Sequence, residues 1–128
     1  MRAVDTNVLV RLLALDDPKQ AQVAAAFVAG GAWVSHLVLA EATWVLSAVF
    51  ARTPRQIAEA LSQIVEHESL VVQEADVVSQ ALAHYRSKPT LGFSDCLILE
   101  IARKAGHVPL GTFDRDLSRL DGAEKLKA

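Results

Sequence analysis

Apolar and polar positions alternate along this chain in blocks whose spacing changes from strand-like to helix-like and back. The short run Arg2-Ala3-Val4-Asp5 precedes Val8, Leu9, Leu12 and Leu13, whose three- and four-residue spacing is helical, so a strand leads into a helix. Asp17 before Pro18 supplies a capping carboxylate and a proline at the first helical position, opening a helix that ends at Gly30-Gly31. Ala32 to Ser35 reads as a short buried strand. Leu37 to Phe50 is apolar nearly all round and is expected as a buried helix. Thr53-Pro54 repeats the cap-then-proline signal, with Ile57, Ala58, Leu61, Ile64 and Val65 on one face. Leu70 to Gln73 is a third strand, residues 74 to 87 are helical, and Lys88 to Phe93 is a loop. Ser94 is expected to cap a helix running to Gly106, and Val108 to Phe113 is a fourth strand that ends in the polar turn Asp114-Arg115-Asp116. Strands separated by helices imply parallel crossovers and an α/β sandwich. Without a repeat or linker, residues 1–128 read as one domain.

Composition narrows the function. In 128 residues, 52% hydrophobic and 22% charged, a disordered or low-complexity chain is excluded. Thirteen Lys and Arg against fifteen Asp and Glu leave a net charge of −2, so a broad basic footprint for nucleic acid is absent and any such contact must be local. The single cysteine, Cys96, rules out an intrachain disulfide and a thiolate metal cage and suits a reducing cytoplasm. The most apolar stretch, Leu37 to Ala51, contains Glu41 and is too short to span a bilayer, and the N-terminus lacks the pattern of a signal peptide; a soluble, cytoplasmic protein is expected.

Four acids stand out. Asp5 ends the first strand and Asp114 follows the fourth, and in an open parallel sheet the carboxyl ends of strands line the ligand crevice, although each could equally cap the helix that follows it. Glu41 has Leu37, Val38, Trp44 and Val45 as its helical neighbours, so it is expected to be protonated, paired from elsewhere in the chain, or a ligand. Asp95 lies on the first turn of its helix with Ile98, Leu99 and Ala102, while Glu100, Arg103, Lys104 and His107 take the opposite face; it is expected to point inward. If the four converge, their repulsion demands a cation, and carboxylate oxygens without His or Cys select a hard ion, Mg²⁺ or Mn²⁺, of the kind that activates water against a phosphodiester. His36, His67, His84 and His107 have no ligand spacing and are expected in surface or capping roles. The alanine-rich run Ala21 to Ala29 and the Trp44 helix read as core or dimer packing.

At these residues the chain resembles the PIN-domain ribonucleases, particularly the VapC toxins of bacterial toxin-antitoxin pairs. The matching segments, in order, are Val4-Asp5-Thr6-Asn7-Val8-Leu9, Leu39-Ala40-Glu41, Gly92-Phe93-Ser94-Asp95 and Thr112-Phe113-Asp114-Arg115-Asp116-Leu117. The resemblance implies a three-layer α/β/α sandwich with a Rossmann-like parallel sheet of four to five strands, and Mg²⁺- or Mn²⁺-dependent cleavage of RNA. By position it makes Asp5, Glu41, Asp95 and Asp114 the catalytic acids, with Asp5, Asp95 and Asp114 as metal ligands. Thr6, Asn7, Thr112 and Asp116 would support them. Cys96 stands where an alanine is common, and a reactive thiol beside carboxylates is not expected. Arg115, flanking Asp114, is the best candidate for an RNA phosphate, ahead of Arg52, Arg55, Arg86, Lys88 and Arg119. Implied partners are RNA, a small cognate antitoxin and a second copy in a homodimer, with no membrane. The alternatives are a phosphotransfer domain, which Asp5-Thr6-Asn7 partly resembles although Asn7 stands where a second Asp is needed, and a non-catalytic binding module.

Overall fold

In the computed structural model, which describes residues 1–128, six helices and five short strands follow one another as β1 (Arg2–Ala3), α1 (Thr6–Ala14), α2 (Pro18–Val28), β2 (Ala32–Val34), α3 (His36–Ala48), α4 (Pro54–Glu66), β3 (Leu70–Val72), α5 (Ala75–Ser87), α6 (Phe93–Lys104), β4 (Leu110–Thr112) and β5 (Ala123–Lys125), with a 3-10 turn at Leu117–Arg119. All strand pairs are parallel, as the alternation with helices implied. The starts of four helices follow from side-chain chemistry. Asp5, Asp17, Ser35 and Thr53 stand in extended backbone, and each accepts a hydrogen bond from the N–H three residues on. At α4 the bond is reciprocal, because Gln56 Oε1 accepts from the Thr53 N–H at 2.9 Å. Ser94 does not cap α6. The N–H groups of Asp95 and Cys96 bond to the Gly92 carbonyl, so the backbone closes the turn ahead of Ser94 and Gly92 takes the cap position.

The chain forms two compact units, Met1–Ala75 and Asp76–Ala128. The first holds the sheet β1-β2-β3, with Ala32 opposite both Arg2 and Leu70. Side chains alternate along it: Ala32 and Val34 are wholly buried, whereas the register partners Trp33 and Val71 are 37% and 47% exposed. β2 is therefore buried on one face rather than throughout, because successive side chains of a strand point to opposite sides. Helix α1 packs on α2 and α3, α3 on α4, and α4 on β3. Helix α3 departs from the buried helix its composition implied. Leu39, Ala42, Thr43 and Leu46 face inward, but Leu37 and Trp44 are 70% and 68% exposed. An apolar circumference creates no neighbours; the helices that meet α3 cover one stripe and leave the rest in solvent.

In the second unit β4 pairs with β5, a strand whose Ala-Glu-Lys sequence carries no alternating apolar signal. Its entry turn needs glycine. Gly122 has φ +91°, and a Cβ there would sit 2.9 Å from the Arg103 guanidinium. The strand expected over Val108 to Phe113 is confined to Leu110–Thr112. Buried side chains of this unit include Val78, Ala81, Leu91, Cys96 and Leu99, and the Tyr85 and Phe93 rings meet edge to face at 6.1 Å. No helix is long and apolar enough to cross a membrane.

The inward stripe of α3 gives a contrast that unfolding can read. Leu39→Ala, at a position with no exposed surface, should cost about 2–5 kcal/mol of stability in urea unfolding, while Trp44→Ala should change it by no more than about 0.5 kcal/mol.

Candidate active site

In the first unit, β1 stops at Ala3 rather than at Asp5, which sits in extended backbone two residues beyond it and caps α1, its Oδ1 accepting from the Val8 N–H at 3.0 Å. The capping role is thus real and occupies one oxygen, leaving the other for a second partner. The next residue makes a tertiary contact: Thr6 Oγ1 donates to Glu41 Oε1 at 3.0 Å, tying the first turn of α1 to the middle of α3. Glu41 itself is exposed. Water rather than a buried counter-charge answers the desolvation argument that singled it out, because the Leu37 and Trp44 side chains beside it are exposed too. Asn7 bonds to none of these groups. It stands at one end of an apolar groove between α1 and α2 of about 410 Å³, lined also by Val8, Lys19, Val23 and Phe27. Val23 is 71% exposed, and Ala25, Ala26 and Ala29 are exposed as well, so much of the alanine-rich run faces solvent rather than a core.

In the second unit, Asp95 lies on the first turn of α6 and Asp114 in the loop after β4. Helix N-termini favour negative charge, which suits Asp95. Burial first, and then the charge of Asp114, hold the Asp95 carboxyl above its ordinary value. Asp114 is fixed by its own loop. Its N–H donates to Thr112 Oγ1 at 3.0 Å, and its Oδ1 accepts from the N–H groups of Asp116 at 2.8 Å and Leu117 at 3.2 Å. Thr112 thereby orients the backbone of Asp114, and Asp116 contributes its amide while its carboxylate turns to Lys88, 3.5 Å away, and Arg119, 3.9 Å away. Arg115 is exposed, its carbonyl accepts from Ser118 Oγ, and its guanidinium forms no ion pair.

Asp5, Glu41, Asp95 and Asp114 share one property: none forms an ion pair with a lysine, arginine or histidine. The other acids show how this chain usually treats a carboxylate. Asp16 pairs with Arg11, Asp76 with Lys104, and Glu100 with both His84 and Arg103. Glu100, expected on the outer face of α6, is 5% exposed, while Ile98, expected inside, is 50% exposed. The helix is rotated from the expected setting because the His84 Nε2 and Arg103 Nε contacts, both at 3.1 Å, compensate the buried Glu100 charge and draw that face inward. The signal available in the sequence was the three-residue spacing of Glu100 and Arg103; His84 comes from another helix.

His36 is 8% exposed at the start of α3 and not at the surface; its backbone N–H donates to Gln73 Oε1, while its ring Nε2 is buried without a hydrogen-bond partner. His67 Nδ1 accepts from the Ser69 N–H. Burial and the charge of Asp95 push the Cys96 thiol up to about 11, so it stays protonated and unreactive.

No cluster of three His, Cys, Asp or Glu side chains is preassembled for a metal within either unit. The donor set nevertheless fits a hard divalent ion: Asp95 and Asp114 offer oxygens only, repel each other and lack a cationic partner, and a small hard ion commonly takes one or two carboxylates and completes its shell with water and substrate phosphate.

Comparisons with curated proteins and with solved structures return no match. The model of one family, described as the PIN domain, matches residues 2–123 and so spans both units and all four acids; the chain belongs to the PIN domain family.

Proposed function

We propose that this chain is a metal-dependent endoribonuclease, the VapC-like toxin of a type II toxin-antitoxin pair in the cytoplasm. The PIN domain is a nuclease-type fold, and the observation that carries the finer reading is the pair Asp95 and Asp114: neither has a basic side chain to neutralise it, and the charge of Asp114 adds to burial in raising the proton affinity of Asp95. Asp95 and Asp114 would hold Mg²⁺ or Mn²⁺, together with Asp5 as a further proposed ligand. When bound, the ion would lower the pKa of water and neutralise charge on a phosphodiester. Thr112 and the amides of Asp116 and Leu117 keep Asp114 oriented, so little reorganisation is needed at that carboxylate. Glu41, held by Thr6, is the proposed proton-handling acid, and Arg115, exposed and unpaired, is the proposed contact to an RNA phosphate. The exposed Leu37 and Trp44 on α3 support protein partners, proposed as a small antitoxin and a second copy.

Asp5→Asn keeps the shape and can still accept the Val8 hydrogen bond, so the protein should stay folded. Its cleavage of total RNA in Mn²⁺ should fall at least about 100-fold, the scale on which a lost charge-stabilising group acts. Expressed alone in bacteria, the wild-type chain should slow growth and Asp5→Asn should not; equal inhibition by both would remove the toxin reading.

The two loop acids should rank in order, because Asp114 has no cation beside it and Asp116 has two. At saturating Mn²⁺, Asp114→Asn should lower cleavage at least about tenfold more than Asp116→Asn; the reverse order would exchange their roles.

The raised proton affinity of Asp95 has a definite sign in pH. The folded chain holds this proton more tightly than the unfolded chain does, so metal-free stability should decline as pH rises from the ordinary aspartate range through the raised value. Cleavage and Mn²⁺ binding need the ionised form and should rise over the same window. Asp95→Asn should flatten the stability trend and abolish binding; an unchanged stability profile in this variant would show that Asp95 is not the group responsible.

A further inference from the structure

Asp114 and Asp116 share one turn and are treated differently by their surroundings. The Asp116 N–H donates to Asp114 Oδ1 at 2.8 Å, which makes the two acids close neighbours. No cation touches Asp114, whereas Asp116 Oδ1 lies 3.5 Å from Lys88 Nζ and 3.9 Å from Arg119 Nη1. Arg119 is three residues further along the same turn and is 62% exposed; Lys88 is 34% exposed and comes from a different segment. That segment is well fixed. The Lys88 N–H bonds to the His84 carbonyl, its carbonyl accepts from the Leu91 N–H, and Leu91 is 2% exposed just ahead of the helix that carries Asp95. Lys88 therefore reaches from the linker that leads to Asp95 across to the loop that carries Asp114.

Resting on the metal-site reading above, we infer that Lys88 is a positioning residue that withholds the Asp116 carboxylate from the divalent-ion site, leaving Asp95 and Asp114 as the ligands that this unit supplies. The electrostatic reason lies in what the site must accept. An additional carboxylate would strengthen attraction for a free cation, but it would add negative charge where an anionic phosphodiester has to approach, and it would take a position that water or phosphate otherwise fills. With its charge answered by Lys88, Asp116 supplies only its amide to Asp114. A purely structural tie between linker and loop would differ in outcome, because its loss would lower stability and leave metal affinity unchanged or weaker.

The test is Mn²⁺ binding to the purified, metal-free protein, read from the free-ion signal in electron paramagnetic resonance, with thermal unfolding of every variant alongside. Lys88→Met should bind Mn²⁺ about fivefold tighter than wild type, and Lys88→Arg and Asp116→Asn should stay within about twofold of it, the scale expected when one unit charge is released near the site. In Asp116→Asn the further change Lys88→Met should have little effect, because the carboxylate it would release is gone. Tightening that persists undiminished in that background would mean that Lys88 acts directly through space, and unchanged or weaker binding by Lys88→Met would mean that it does not withhold Asp116; either overturns the inference. Should Lys88→Met fail to fold, Lys88→Gln carries the same expectation. Wild-type protein that binds no Mn²⁺ would remove the metal-site reading itself, an outcome distinct from the two above.

Discussion

Two like charges held within electrostatic reach are the constraint around which the second unit is arranged. Burial raises the proton affinity of Asp95, and the charge of Asp114 raises it further. Keeping them so requires donors that do not neutralise them. The chain supplies two backbone N–H groups to Asp114 Oδ1 and places Asp95 on the first turn of α6, at the positive end of the helix. Amides and helix termini stabilise negative charge by partial dipoles, leaving a full formal charge available to a cation. A lysine at either carboxylate would have ended that availability.

The contrast with the other acids makes the principle visible within one sequence. Glu100 is more deeply buried than Asp95, yet its charge is answered by Arg103 and by hydrogen bonding to His84, and the network reaches the β5 entry turn, where Arg103 also bonds to the Asp121 carbonyl. That acid secures the fold. Asp116, on the same loop as Asp114, is answered by Lys88 and Arg119. What separates the structural carboxylates here from those proposed for the site is the presence of a basic partner, not the degree of burial.

In the first unit, local structure and chemistry draw on the same side chains. Asp5 spends one oxygen on the N-terminus of α1, and Thr6, the first residue of that helix, spends its hydroxyl on Glu41. A capping carboxylate has two oxygens and the cap needs one, so reading Asp5 as a cap and reading it as a candidate ligand are compatible.

The sequence by itself determined the α/β class, the parallel pairing and the starts of α2 and α4, because caps, prolines and apolar periods act over a few residues and need no distant partner. Its ordered acidic motifs also pointed to the PIN family and to Asp5, Glu41, Asp95 and Asp114. Tertiary structure decided the rest. Leu37 and Trp44 are outside because neighbouring helices cover only one stripe of α3, and Glu100 is inside because His84, sixteen residues earlier, comes to meet it. Strand β5 exists because β4 offers an edge in register with Ala123–Lys125, although its own residues carry no strand pattern. The sequence ranked Asp114 above Asp116, two residues on, but the electrostatic partition between them is tertiary: the approach of Lys88 from another segment gives them different surroundings.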